Sequence, residues 1–199
     1  MVAFTFYFPF LTNHLYEKYN LGVSSSSLFF SVPLLSYLII VNFINIISKK
    51  LGNFHSLSAG ILVNVIGVYL IYPLPPFGNN IVFIIIGLAL IGAGSLIFVF
   101  SLLELSKIIK TLSGDYDQNT VNDIASAVNN LFTAIGDLLG PIIGGSLSSH
   151  FSFKISCIFI FTIFSIFYIL FIIFYTKDDI IASYKLSNNN IILQEELSK

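Results

Sequence analysis

Long apolar stretches, separated by short groups of charged and polar residues, dominate the pattern along this chain. No charged residue occurs between Lys18 and Lys49 or between Lys50 and Glu104. Two further stretches without charge run from 138 to 153 and from 155 to 176. A membrane-spanning helix needs about 20 consecutive apolar residues. The pattern therefore predicts several helices that cross a bilayer.

The longest stretch without charge, residues 51–103, holds two predicted spans, because a Pro-rich break at 73–80 interrupts it. The apolar segment 1–12 is shorter than a full span, and we interpret it as the outer end of a first helix whose beginning is missing. We predict the second to sixth spans at about 26–47, 57–72, 81–103, 124–146 and 155–175.

The predicted fold class is all-α, a polytopic membrane bundle of six spans over residues 1–176. A polar segment, residues 177–199, is predicted to be a flexible cytoplasmic tail. Alternating phenylalanines near the start, from Phe4 to Phe10, are strand-like. However, unbroken apolar runs such as 81–91 do not suit a membrane barrel, and backbone groups in lipid must bond internally. Helices are therefore expected throughout.

Composition supports the membrane class and removes others. Hydrophobic residues make up 56% of the chain and charged residues 10%, against about 25% charged in soluble domains. The net charge of -1 and the absence of arginine leave no basic surface for nucleic acid. A single cysteine, Cys157, excludes an internal disulfide, and we predict no metal site, no cofactor and no enzymatic activity.

Lysine placement predicts the orientation in the membrane. If the connection after the second span is cytoplasmic, seven lysines lie on that side and two, Lys18 and Lys154, on the other. The seven are Lys49, Lys50, Lys107, Lys110, Lys177, Lys185 and Lys199. This bias follows the positive-inside rule and predicts a multi-pass membrane protein with a cytoplasmic C-terminus.

The fifth span carries a narrow polar stripe. At about 100° per residue, its small and polar positions fall on one face: Ser126, Asn130, Thr133, Asp137, Gly140 and Gly144. A charged aspartate at the centre of a span costs about 2.5–3.5 kcal/mol, so such an acid is a functional candidate. One interpretation is that the stripe faces a wet cavity.

The alternative interpretation is that the stripe is a helix contact. Gly136, Gly140 and Gly144 are four residues apart, a spacing typical of close helix packing. In the second span, Ser31 and Asn42 share a face with Ser27 and Asn45 and are weaker candidates for a transport path. On the predicted cytoplasmic side, Glu104 is expected to form an interfacial ion pair with Lys49 or Lys50.

Three segments resemble elements of the major facilitator superfamily. Gly136-Asp137-Leu138-Leu139-Gly140-Pro141-Ile142-Ile143-Gly144-Gly145 resembles the G-x-x-x-G-P-x-x-G-G element of its antiporters. The segment 7–15, from Tyr7 to Leu15, is similar to the outer end of the seventh helix in the vesicular amine and polyamine branch. Ser48-Lys49-Lys50-Leu51-Gly52 resembles a degenerate cytoplasmic loop motif, with Lys50 and Gly52 at its matching Arg and Gly positions.

The resemblance implies twelve helices in two halves that rock about a central site. This chain is similar to the second half, in which the first, second, fourth and fifth of its six helices surround the cavity. The vesicular amine transporters carry an acid eleven positions before the Gly-Pro proline, where this chain has Asn130.

The resulting hypothesis is proton-coupled antiport of a small organic solute, amines and polyamines included. Asp137 would be the proton or cation site, and Ser126, Asn130, Thr133, Ser31 and Asn42 would line the path. The expected partners are the lipid bilayer, the solute, protons, and a missing N-terminal half or a second copy of the chain. The alternative is a truncated membrane protein or partner subunit that does not transport.

Overall fold

The computed structural model describes residues 5–71, 80–113 and 116–174, and every regular element within these ranges is a helix. In chain order the elements are α1 (Phe8–Tyr19), α2 (Val23–Phe29), α3 (Ser31–Val41), α4 (Ile44–Ile71), α5 (Ile81–Gly94), α6 (Ile97–Ser113), α7 (Gln118–His150) and α8 (Phe153–Phe174). The all-α prediction is therefore confirmed for the described part of the chain.

Five helical stretches are long and apolar enough to cross a membrane, which fits a multi-pass membrane protein. They are Ser24–Val41, Ile44–Ile71, Ile81–Leu112, Gln118–Leu147 and Phe153–Phe174. They correspond to the predicted second to sixth spans. The segment predicted for the first span, residues 1–12, overlaps the start of α1, which has 12 residues and is not among the five. The predicted tail, residues 177–199, and most of the predicted break at 73–80 lie outside the described residues.

The second span is not one continuous helix. Pro33 has no N–H to donate to the carbonyl of Phe29, and the helix is interrupted at Phe30, whose N–H bonds to Ser27 at 3.1 Å. A second interruption lies at Asn42 and Phe43, between α3 and α4. The predicted shared face of Ser27, Ser31, Asn42 and Asn45 assumed one unbroken helix, but only the part from Ser31 to Val41 is continuous.

The predicted loop at 48–52 is reduced to one residue. Gly52 has φ 75° and ψ 160°, and α4 is helical on both sides of it. The Ser48 hydroxyl contacts Asn53 Oδ1 at 2.5 Å across this break, and the Ser56 hydroxyl donates to the Gly52 carbonyl at 2.6 Å. Gly52 therefore separates the predicted second span from the third.

The fourth and fifth spans extend beyond their predicted ends. The fourth begins at Ile81 as predicted, with Asn80 as its N-cap, and is interrupted only at Ser95 and Leu96 before α6 continues to Ser113. The fifth runs from Gln118, capped by the Asp117 side chain, and Pro141 lies inside it. These extensions carry polar residues that would lie beyond the apolar part of the bilayer.

Close backbone contacts hold α3, α4 and α5 together. A Cβ on Gly67 or Gly87 would lie under 3 Å from the carbonyl of the other glycine. Gly92 meets the backbone of Pro33, and the Ser36 hydroxyl donates to the Ala89 carbonyl at 2.6 Å. Small residues allow this approach, as in many membrane helix interfaces.

The main apolar core lies where α1, α4, α5 and α8 meet. Its members include Leu11, Ile71, Ile84 and Cys157, all nearly inaccessible. Most other large apolar side chains of α8, such as Phe167 and Phe174, are exposed. This pattern suits the prediction that the sixth span is an outer helix facing lipid.

Candidate functional site

A cavity of about 330 Å³ opens between α3, the junction of α5 and α6, and α7. This volume is at the lower end of the range of small-molecule sites, about 300–1,000 Å³. The lining residues are Pro33, Leu34, Tyr37, Gly92, Ser95, Phe98, Asn129, Asn130 and Thr133. No charged side chain is among these described lining residues.

The cavity lies near the middle of the helices that form it. Ser95 is close to the midpoint of the stretch Ile81–Leu112, and Asn130 and Thr133 are close to the midpoint of Gln118–Leu147. Two of its walls are interrupted helices, at Phe30 next to Pro33 and at Ser95. Discontinuous helices at mid-depth are where membrane transporters place substrate sites.

Hydrogen bonds fix part of the polar wall. The Ser101 hydroxyl donates to Asn129 Oδ1 at 2.9 Å, which links α6 to α7 and leaves the Asn129 amide nitrogen as a donor. The Ser95 hydroxyl donates to the Ile91 carbonyl of its own helix at 2.9 Å. Asn130, Thr133 and Tyr37 have no side-chain hydrogen bond to the described part of the protein. Their polar groups are therefore available to a ligand.

Asp137 lies one helical turn beyond Thr133 and is not a lining residue of the cavity. Its side chain is half-buried, and its Oδ1 is inaccessible and accepts no hydrogen bond from the described residues. Because Pro141 lacks an N–H, the Asp137 backbone carbonyl also loses its regular helix partner. Asp137 therefore has a side-chain oxygen that accepts no hydrogen bond from the described residues and a backbone carbonyl oxygen that lacks its regular donor four residues later.

Further along the same face, α7 packs against the start of the described chain. Gly140 and Gly144 are buried, and a Cβ on either would collide with Thr5 or Phe6. Gly136 is buried, Pro141 is half-buried, and a Cβ on Gly145 would meet nothing within 4 Å. The predicted stripe is thus divided along its length: its first part lines a cavity, its last part is a helix contact, and Asp137 lies between them.

Three other predicted path residues do not meet the cavity. Ser126 is half-buried on α7 and is not among the lining residues. The Ser31 hydroxyl donates to the Leu28 carbonyl at 2.6 Å, and the Asn42 amide donates to the Leu38 carbonyl at 2.7 Å. These two side chains bond to carbonyls of the preceding turn, three and four residues earlier in the chain.

The prediction that Glu104 forms an ion pair with Lys49 or Lys50 is wrong. Glu104 Oε1 lies 2.9 Å from the ammonium of Lys107, one turn further along α6. Lys49 and Lys50 are both exposed and form no ion pair with a described residue. The reason is that α6 continues past Glu104 and brings Lys107 within local reach. An exposed pair of this kind contributes little to stability.

Of the nine described lining residues, sequence reasoning predicted only Asn130 and Thr133 as path residues. Tyr37, Phe98 and Asn129 line it but lie outside the predicted polar stripes. The helix breaks were the available signal: Pro33 marks one wall, and the run of small residues before Ser95 marks another. Within the described ranges, no three His, Cys, Asp or Glu side chains come together in a way that could hold a metal ion.

Comparison with known proteins adds no family to this description. No protein-family model matches the chain, and neither the curated proteins nor the solved structures give a significant match.

Proposed function

We propose that this protein is a six-helix half of a secondary transporter of the major facilitator type, and that it exchanges a small organic solute for protons. The observation that carries the proposal is the cavity at mid-depth, walled by interrupted helices and polar on its α7 side. Both features are typical of the substrate sites of membrane transporters. The resemblance of residues 136–145 to the antiporter element supports the same class.

In this proposal Asn130 and Thr133 bind the solute and Asp137 exchanges the proton. A charged aspartate at the centre of a span costs about 2.5–3.5 kcal/mol when it is unpaired. The inaccessible Oδ1 without a donor supports this role.

A second six-helix unit would complete the transporter. The cavity is open at Asn130 and Leu34, both of which are exposed. An exposed asparagine at the middle of a span is costly against lipid and favourable against protein or water. An N-terminal half, or a second copy of this chain, would cover this side and form the opposite wall.

The test is proton movement in sealed membrane vesicles that contain the protein and a trapped pH-sensitive dye. Benzamide, benzylamine, spermidine and glucose are added in turn, with vesicles lacking the protein as the blank. The native protein is expected to move protons when a transported solute is added. Asp137→Asn should abolish this movement. The matched control is Asp123→Asn, since Asp123 lies on the same helix and is exposed.

Two results would contradict the proposal. If Asp137→Asn moves protons as the native protein does, Asp137 has no part in the coupling. If the native protein moves neither protons nor any of the four solutes, the proposed proton-coupled exchange is contradicted. The second result would favour a membrane protein that does not transport.

A further inference from the structure

The α7 wall of the cavity offers hydrogen-bond donors and no charge. Asn129 uses its amide oxygen to accept from Ser101 and keeps its amide nitrogen, while the hydroxyl of Thr133 and the amide of Asn130 have no partner in the described structure. The Tyr37 hydroxyl adds a further donor from α3. Such a wall is suited to an oxygen acceptor on a ligand.

Charge on a ligand would be unfavourable in this wall. None of the described lining side chains is ionisable near neutral pH, and the nearest acid along α7, Asp137, lies a turn outside the lining. The remaining lining residues are Pro33, Leu34, Gly92 and Phe98, which are apolar, and Ser95, whose hydroxyl donates to the Ile91 carbonyl. A charged group moved from water to such surroundings pays a large desolvation cost unless an opposite charge pairs with it.

We propose that this cavity selects an uncharged organic solute that carries a carbonyl or hydroxyl oxygen beside a flat apolar part, and that it discriminates against cationic amines. The inference rests on the proposed function, since it assumes that this cavity is where the solute binds. The oxygen would accept from Asn129, Asn130 or Thr133, and the apolar part would lie against Phe98 and Pro33.

The discrimination is tested with three probes of nearly equal shape and different charge: benzamide, which is neutral, benzamidinium, a cation, and benzoate, an anion. Equilibrium dialysis against the native chain in lipid nanodiscs, corrected with empty nanodiscs, gives the three dissociation constants. Benzamide is expected to bind at least about tenfold more tightly than either ion. Equal or tighter binding of benzamidinium or benzoate would overturn the inference, as would binding of none of the three.

Two variants test whether benzamide binds at the α7 wall of the cavity. Asn130→Leu and Thr133→Val should each weaken benzamide binding about fivefold or more, because each removes a side-chain donor for the benzamide oxygen. Asn122→Leu is the matched control for Asn130→Leu: Asn122 lies on the same helix, is exposed, and bonds to Gln118 outside the cavity. If the control weakens binding as much as the cavity variants do, the site is elsewhere and the inference fails.

A gain of function guards against variants that fail only because they unfold. Asn130→Asp changes the amide to a carboxylate of the same shape and should make benzamidinium the preferred probe at neutral pH. No change in preference would overturn the inference. The outcomes also separate it from the proposed function. If the native protein prefers benzamidinium and still moves protons, the proposal of transport stands and the inference of a neutral solute fails. If it prefers benzamide and transports no solute, the inference about the cavity stands and the proposal of transport fails.

Discussion

Gly67 on α4 and Gly87 on α5 face each other so closely that neither position has room for a side chain. A Cβ on Gly67 would lie 2.8 Å from the carbonyl oxygen of Gly87, and a Cβ on Gly87 would lie 2.7 Å from that of Gly67. The obstacles are backbone atoms, which cannot move aside as a flexible side chain can. The two helices that form this contact also position the cavity, because α5 ends at its wall.

We expect Gly67→Ala and Gly87→Ala each to destabilise the folded protein by about 1–3 kcal/mol, the usual cost of overpacking a tight contact. Unfolding in mixed detergent, followed by circular dichroism, measures this change. Gly145→Ala is the control, because a Cβ there meets nothing within 4 Å. It should be neutral or stabilising by up to about 1 kcal/mol, since alanine favours a helix. Equal losses at Gly67 and Gly145 would contradict the packing described.

Gly52 is expected to tolerate no other residue well. Its φ of 75° and ψ of 160° define a conformation that is essentially restricted to glycine, where a side chain costs about 1–3 kcal/mol. No neighbouring atom opposes a Cβ at this position, so the loss in Gly52→Ala should come from the backbone alone. Gly52→Asn should lose about as much stability, because asparagine tolerates a positive φ mainly with ψ of about 30–60° and Gly52 has ψ 160°. The same unfolding measurement tests both variants. If Gly52→Ala is as stable as the native protein, the break in α4 is contradicted.

His14 should make stability fall in mild acid. His14 lies on α1, outside the five apolar stretches, and its ring stacks on that of Phe153, the first residue of α8, with centroids 3.8 Å apart. Burial, with a smaller effect of Lys18, lowers the pKa of His14 from 6.5 to about 4. Between these values the unfolded chain binds a proton that the folded protein does not, so stability falls as pH decreases from about 6.5 towards 4.

The thermal midpoint of the native protein should therefore be lower at pH 5 than at pH 7.5. In His14→Phe, which keeps an aromatic ring against Phe153 but cannot titrate, this difference should be smaller. A native and a variant protein with the same pH dependence would show that His14 does not contribute to it. Because both proteins have the same acidic side chains, the contribution of these groups to the pH dependence cancels in the comparison.

The sequence predicted the helices and one face of α7 because both depend on local pattern. The lack of charge over 51–103 and the spacing of Asn130, Thr133 and Asp137 needed no tertiary information. The division of that face into a part that lines the cavity and a part that packs against another segment did need tertiary information. Asn130 and Thr133 line a cavity because α3 and the junction of α5 and α6 face this part of α7, whereas Gly144 packs against Phe6, just before α1.

The missed features have similar causes. Asn129 is about 100° from Asn130 around the helix, off the predicted stripe. It reaches the cavity edge through its bond to Ser101, 28 residues earlier in the chain. Ser31 and Asn42 do not line the cavity, since their side chains bond to the backbone carbonyls of Leu28 and Leu38. Such contacts and breaks depend on neighbours that a periodicity within one span does not include.

Access of water to one face of α7 in the membrane tests the central claim most directly. Cys157 is the single cysteine, so a Cys157→Ala background allows one cysteine to be placed at a time, at Asn130, Thr133, Leu131 or Phe132. Each is treated in intact membranes with a charged thiol reagent that does not enter lipid. We predict that Asn130→Cys and Thr133→Cys react while Leu131→Cys and Phe132→Cys do not. Reaction at Leu131 and Phe132 with protection at Asn130 and Thr133 would contradict the account.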